Sequence, residues 1–356
     1  MSRSDVEVNA RAQGAIVGMA VGDALGAPYE FGPPPGIVLT GGEEDMTGGG
    51  SFGWEPGEWT DDTSMAIPIL EALAANLYDN ERDQTLVHAW RRWAMEAPDV
   101  GAQTRAVLQQ LDSKSSADDA RTAARGVHES TGRSAGNGSL MRTAPVGIAP
   151  RRDRAGQLVL PDAVEGVALR ARQLSELTHY EDDAGDACVL WSVMIHQAVE
   201  YGRLDVASAL AQLPVERRLR WEGLIEEATF SRPEDYPNNG WVVHALQAAW
   251  AAIHRAGFEV EQPGAGASPH AFRVAIQHAI NAGGDTDTVA AITGGLAGAL
   301  VGAQGIPLGW QRLLHGWGGR TIDGRVVVRT AGDLAAMAVA ARENYSLANW
   351  SGTAGR

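Results

Sequence analysis

A single cysteine, Cys188, stands in 356 residues, so no disulfide can close within the chain and no cysteine cluster exists to hold structural zinc. Its neighbours read as an apolar helix, the setting of a buried structural thiol rather than a nucleophile. Positive charge is in deficit: 29 Lys and Arg face 44 Asp and Glu, a formal net charge of −15. That balance disfavours long-range attraction to nucleic-acid phosphates or anionic lipid. A small anionic ligand would need local help, from metal or from convergent backbone N–H groups. Long hydrophobic runs are missing as well. The longest low-charge stretch, 288–305, is rich in Gly and Ala and too weakly apolar to span a membrane. Residues 1–9 are polar and acidic with no apolar run behind them, so no secretory signal is read and cytoplasmic residence is expected. Alternating strand-like runs are few, no periodic repeat is present, and no linker divides the chain.

What remains is helical. With 44% hydrophobic and 21% charged residues, the chain has enough apolar surface to offset the entropy of ordering. Apolar residues recur at three- and four-residue spacings over 10–25 and 64–77, and further helices are expected at 86–95, 117–128, 161–177, 181–201, 241–254, 271–280, 288–301 and 333–341. Pro161 suits a first helical position and Gly202 a C-terminal stop. The fold class is therefore all-α, in one domain over 1–356. Residues 32–58, rich in Gly and Pro and containing Gly48-Gly49-Gly50, are too long for an ordinary connection and form a candidate active-site loop. Residues 262–268 resemble a surface connection. A short hairpin is expected within 316–328, where Ile322-Asp323-Gly324 precedes Val326-Val327-Val328.

Two acidic clusters carry the chemistry. Thr60-Asp61-Asp62-Thr63 precedes the apolar pattern Met65, Ile67, Ile69, Leu70 and Leu73. An N-cap explains one carboxylate there, because its oxygen accepts from free N–H groups of the first turn. Two adjacent carboxylates between two hydroxyls exceed that need, and their like charges repel unless a cation intervenes. Near the other end, Gly283-Gly284-Asp285-Thr286-Asp287-Thr288 repeats the arrangement before another apolar run. Oxygen-only donors of this kind suit Mg²⁺ or Mn²⁺. Capping remains the alternative for either cluster alone; both together favour a shared metal site, which acidifies water and stabilises developing oxygen charge.

Two glycine-rich segments complete the pattern. Residues 18–26 place small residues at helix spacing, which reads as close helix packing and lacks the strand context of a dinucleotide fingerprint or a P-loop. Glu30 follows at the mouth of the long loop, as a metal ligand, a base, or a solvated carboxylate. Gly136-Asn137-Gly138-Ser139-Leu140-Met141-Arg142 is a second loop-to-helix transition, either an ordinary Asn-Gly turn or a set of N–H groups that bind phosphate without basic side chains.

Four of these pieces, 18–30, 59–63, 136–142 and 281–288, resemble the ADP-ribosylglycohydrolase family of the dinitrogenase-reductase-activating glycohydrolase type, and the likeness extends over nearly the whole chain. The resemblance implies a compact, orthogonal multi-helix domain with two Mg²⁺ or Mn²⁺ ions in a central cleft. It implies ligands Thr60, Asp61 and Asp62 from one side and Asp285, Asp287 and Thr288 from the other, with Glu30, Asp62 and Asp287 in catalysis. The main chain of Gly136, Asn137, Gly138 and Ser139 would surround phosphate or the distal ribose, with His179 on the phosphate side of the cleft, or else an ordinary helix-capping or surface histidine. Trp241, in Asn239-Gly240-Trp241-Val242, would stack on adenine, or serve as an ordinary core residue at a helix start. Asp99 lies where some relatives place another acidic residue. The activity implied is hydrolysis of an α-linked ADP-ribosyl adduct at C1″, releasing ADP-ribose from a modified protein side chain or related acceptor. Hydrolysis of O-acetyl-ADP-ribose or of ADP-ribosylated nucleotide or nucleic acid is the competing activity, and a non-catalytic ADP-ribose-binding module is the competing class.

Overall fold

Helical periodicity is realised as fifteen α-helices and one two-stranded sheet among the described residues of the computed structural model, which are 3–77, 79–148, 163–260, 267–320 and 325–344. In chain order these are α1 (Arg3–Gly26), α2 (Asp61–Ala74), α3 (Asp79–Ala94), α4 (Ala102–Leu108), α5 (Ala117–Thr131), α6 (Ala144–Gly147), α7 (Ala163–Ser175) and α8 (Asp182–Tyr201). They continue with α9 (Val206–Leu210), α10 (Val215–Phe230), α11 (Val242–Arg255), α12 (Pro269–Ile280), α13 (Thr286–Val301), α14 (Leu308–Leu313) and α15 (Ala331–Glu343). The all-α expectation holds. The hairpin expected within 316–328 is present as antiparallel β1 (His315–Arg320) and β2 (Val326–Thr330), with His315 opposite Thr330. Ile322-Asp323-Gly324, Pro161 and residues 262–266 lie outside the described residues.

The axis of the fold is a glycine seam between α1 and α13, which run antiparallel. A Cβ on Gly14, Gly18 or Gly22 would lie 2.2, 2.4 or 2.0 Å from the carbonyl oxygen of Gly298, Gly294 or Ala290. One on Gly26 would lie 2.4 Å from the Asp287 Cα. Main chain therefore meets main chain without intervening side chains, which only glycine at these positions permits. α8, α11 and α12 pack around α13, while α15 packs on α1 and α2. Both α2 and α13 are buried along nearly their whole length.

Large indoles fill the spaces between helices, and each of six fully buried ones finds an acceptor. Trp191 donates to the Ile292 carbonyl at 2.9 Å, Trp90 to Met65 at 2.9 Å and Trp59 to Trp317 at 3.1 Å. Trp221, Trp250 and Trp310 donate to Asp186, Thr229 and Asp45. The long segment after Glu30 is held by side chains of α12 and of its C-cap, Asn281. Asn281 exchanges two 2.9 Å hydrogen bonds with the Ile37 main chain, Gln277 accepts from the Leu39 amide, and Arg273 donates to the Leu39 carbonyl.

Candidate metal and active centre

The seam brings the end of α1 beside the starts of α2 and α13, and a carboxylate from α1 organises the junction. Asp23 accepts from the Thr60 amide at 2.9 Å, the Thr63 amide at 3.0 Å and the Thr63 hydroxyl at 2.6 Å. The first turn of α2 is thus capped by a residue distant in sequence, and Thr60, its local N-cap, makes no side-chain cap bond. Asp61 and Asp62 are released from capping. At α13, Asp285 occupies the N-cap and likewise makes no side-chain cap bond, while Asp287 accepts from the Thr288 amide at 2.9 Å. Thr286 anchors this turn by donating to the Gly26 carbonyl at 2.8 Å.

Side chains of the two acidic stretches converge. One oxygen each from Asp23, Asp62 and Asp287 lie within 4.8 Å of one another, and so do one each from Glu30, Asp99 and Asp287; the two groups share Asp287. The Thr60 hydroxyl is 3.2 Å from Asp62 and 3.4 Å from Asp287, and the Thr288 hydroxyl is 3.4 Å from Asp62. Asp61 and Asp99 stand close enough for the charge of Asp99 to act on Asp61. Asp285 stands outside both groups, accepting from the Asn137 side-chain Nδ2 at 2.7 Å.

Burial followed by repulsion from neighbouring carboxylates drives protons onto this cluster. Desolvation, then Asp99, raises Asp61; desolvation, then Asp23, raises Asp62; desolvation, then Asp62, raises Asp287, all well above the usual carboxylate range. Glu30 is pushed up to about 9 by burial and then Asp285, and Asp99 to about 6 by the same two causes. Asp23 rises to about 6 through burial, opposed by its hydrogen bonds to Thr63 and Thr60. Isolated like charges do not gather at such depth without compensation. Asp62 Oδ1 and Glu30 Oε2 are buried with no hydrogen-bond partner. Carboxylates, threonine hydroxyls and two orphaned oxygens are what a hard divalent cation requires, so the donor set fits Mg²⁺ or Mn²⁺.

The loops around this cluster are tied to each other. Phe31 donates to the Gly284 carbonyl at 2.7 Å and Gly284 donates to Gly32 at 2.9 Å, which fixes Glu30 beside the 283–288 turn. Phe31 adopts φ 63, a conformation bulky residues seldom occupy, and its side chain is 67% exposed. Gly283 and Gly284, at φ 73 and 71, make the turn that aims Asp285 and Asp287 inward.

On the other side, Gly136 bridges Trp241, with Asn137 donating to the Gly240 carbonyl at 3.1 Å and Val242 to Ala135 at 2.9 Å. The Asn137 main-chain N–H is thereby committed, and the Ser139 hydroxyl points inward, where it accepts from Ser175 at 2.9 Å and the Cys188 thiol at 3.4 Å. His179 lies beneath the loop: a Cβ on Gly138 would come within 3.2 Å of its ring. Burial and the Arg142 guanidinium hold His179 uncharged, with its Nδ1 2.7 Å from the Thr178 hydroxyl. Trp241 is half-buried at the start of α11, its ring 5.1 Å from that of His244. Cys188 is buried, and burial pushes its thiol up, as a structural thiol requires.

Two contributors were not singled out in the sequence. Asp23 sits inside a glycine-rich stretch that reads as packing, yet its charge at a buried seam was the available signal. Asn239 accepts from the Asp285 amide at 3.0 Å and donates to the Gly283 carbonyl at 2.8 Å, while its own carbonyl accepts from Asn137 at 2.9 Å. It joins the two loops that flank the acidic turn.

Residues 4–344 match the family model described as ADP-ribosylglycohydrolase. The chain is 29% identical over 308 residues to an ADP-ribosylarginine hydrolase of Serratia proteamaculans, covering 84% of this chain and 74% of the relative. A protein of the same name from Pseudomonas putida is 31% identical over 309 residues, at 84% and 73% coverage. The ADP-ribosyl-[dinitrogen reductase] glycohydrolase of Rhodospirillum rubrum is 29% identical over 311 residues, at 85% and 90%. A solved structure described as an ADP-ribosylglycohydrolase-related protein complex superposes with a TM-score of 0.66 and 27% identity, over 96% of this chain and 100% of that one. With its helical architecture, its convergent acidic turns and a family match over nearly its full length, the chain belongs to the ADP-ribosylglycohydrolase family.

Proposed function

We propose that the protein hydrolyses an α-linked ADP-ribosyl adduct at C1″ and depends on two divalent cations, Mg²⁺ or Mn²⁺. One observation carries this reading: two three-carboxylate groups from distant parts of the chain share Asp287, and two of their buried oxygens lack any partner. Thr60, Asp61, Asp62, Asp285, Asp287 and Thr288 are the proposed ligands, joined by Asp23. Bound there, the cations supply a positive field for developing oxygen charge and a more acidic water.

The chain's own residues supply the rest. Glu30, fixed by the Phe31–Gly284 bonds, takes a proton from the water that attacks C1″; its raised proton affinity makes it a stronger base once ionised. Asp62 and Asp287 complete the acidic lining, an oxygen of Asp287 lying within 4.8 Å of one from Glu30. The Gly136–Ser139 loop, its Asn137 N–H already given to Gly240 and its underside supported by His179, receives the diphosphate region, and the half-buried Trp241 offers a face to adenine. Positioning by these loops lowers the barrier together with the field.

The test is release of ADP-ribose from chemically defined arginine, serine, nucleobase and O-acetyl adducts, with and without chelator. The Asp287→Asn variant serves as control. Metal-dependent release that this substitution abolishes is the expected result. Release indifferent to both chelation and substitution overturns the metal mechanism, and metal-independent ADP-ribose binding without turnover identifies a binding module instead.

A further inference from the structure

Arg142 is fully buried, and among the described residues no carboxylate pairs with it. Its guanidinium lies over the Trp90 ring at 4.2 Å, donates to the Met65 sulfur at 3.6 Å and to the Thr178 hydroxyl at 2.6 Å, and leaves Nε without a partner. A buried charge without a counter-ion is costly, and an apolar side chain would fill such a space without that cost. The one strong polar contact it makes is the bond to Thr178, so the reason for the charge is sought there.

Thr178 passes the contact on. A guanidinium only donates, so Arg142 occupies a lone pair of the Thr178 oxygen and leaves the hydroxyl proton to be given elsewhere. The remaining partner of that oxygen is His179 Nδ1, at 2.7 Å. With the hydroxyl proton on this line all three groups are satisfied, whereas a proton on Nδ1 would leave the buried hydroxyl with no acceptor. Nδ1 therefore accepts, and an imidazole kept uncharged by burial and by Arg142 carries its hydrogen on Nε2. That nitrogen faces the 136–139 loop: it lies 3.4 and 3.2 Å from where a Cβ would stand on Gly136 and Gly138, and it has no hydrogen-bond partner among the described residues.

We propose that Arg142 and Thr178 are positioning residues that fix His179 as an Nε2–H donor, aimed between the two glycines at the anion the loop receives. The inference rests on the reading of that loop as the seat of the diphosphate and adds what sets the proton of its histidine. Phosphate oxygens only accept, so the opposite tautomer would turn a lone pair toward them. The loop also needs the donor: its Asn137 N–H is already given to Gly240, and the His179 Nε2–H replaces it without adding a positive charge.

Tautomer and affinity are read separately in the full chain. Long-range proton–nitrogen correlation NMR on the labelled protein, with His179→Asn to assign the ring, is expected to show a protonated Nε2 and a bare Nδ1. Calorimetry with ADP-ribose and Mg²⁺ gives the affinity. Thr178→Val keeps the shape and removes the hydroxyl; it should move the proton toward Nδ1 and weaken ADP-ribose about tenfold, the loss of one hydrogen bond to a charged oxygen. Thr178→Ser should keep both the native tautomer and the native affinity. Arg142→Met should weaken binding as Thr178→Val does, and the double variant no further, because both act through one ring. A native His179 protonated on Nδ1 overturns the inference and leaves the hydrolytic reading intact; it needs no substitution, so a variant that fails to fold does not shelter the proposal. Thr178→Val that moves the proton without loss of affinity overturns it too, as does an equal loss in Thr178→Ser. A native chain that binds no ADP-ribose overturns the diphosphate reading of the loop and the inference with it.

Discussion

Asp287 belongs to both carboxylate groups, and its neutralisation has opposite consequences for turnover and for stability. Asp287→Asn keeps an oxygen for the Thr288 amide but removes one of the mutually repelling charges. Metal-dependent release of ADP-ribose should fall by at least about 100-fold, the scale of losing an electrostatic contact in the transition state. The same variant in chelator at pH 8 should melt higher than the native chain, because burying an ionisable carboxyl among carboxylates no longer costs stability. A lower melting temperature in chelator contradicts that. Asn239→Ala tests the joint between loops: it strips the partners from the Asp285 amide and the Gly283 carbonyl, a loss of about 1–3 kcal/mol for buried unsatisfied groups. Weaker metal binding in calorimetry should accompany it. The Thr-Asp-Asp and Gly-Gly-Asp-Thr-Asp-Thr stretches were legible because their carboxylates exceed what capping uses. Asp23 and Asn239 were not, since each acts on main chain that is close only after folding.

At the level of elements, the α1–α13 contact reverses an ordinary expectation. In a helix interior Gly→Ala normally stabilises, by about 1 kcal/mol. At Gly18 or Gly294 the added methyl would meet a carbonyl oxygen at 2.4 or 2.0 Å, so the helices must separate. Gly18→Ala and Gly294→Ala should each destabilise by about 1–3 kcal/mol in denaturant titration, with turnover lost as Asp287 shifts from Asp23. A variant with native stability and activity contradicts the seam. Long periodic helices such as α8 and α11 could be read directly, because apolar residues fill one or all faces. α10 was missed: Glu216, Arg217, Arg218 and Arg220 crowd its first turns, and only Trp221, Ile225 and Ala228 are buried. α1 and α2 begin earlier than their apolar patterns, α1 with a polar overhang from Arg3 and α2 because Asp23 supplies the cap. The start of α13 at Thr286 was likewise hidden, since its first turn is polar and is fixed by Gly26.

For the whole molecule, the raised carboxylates set how stability follows pH. Unfolded Asp and Glu titrate near 4, whereas Asp23 and Asp99 titrate at about 6 and Glu30 at about 9. Between those values the native state holds protons that the unfolded state has released, so metal-free stability falls as pH rises. The melting temperature in chelator should decline from pH 5 to pH 9, and Mg²⁺ or Mn²⁺ should raise it more at pH 8 than at pH 5.5, where protons compete for the same oxygens. A metal-free melting curve that rises over this range contradicts the assignment.

The seam also limits where such a protein can vary. Because bare backbones touch along α1 and α13, the spacing between Asp23 and Asp287 has no side-chain shim that substitution could thicken or thin. Changes of specificity are thereby channelled to the periphery. An engineer seeking a new leaving group should randomise the rim and leave the central glycines untouched.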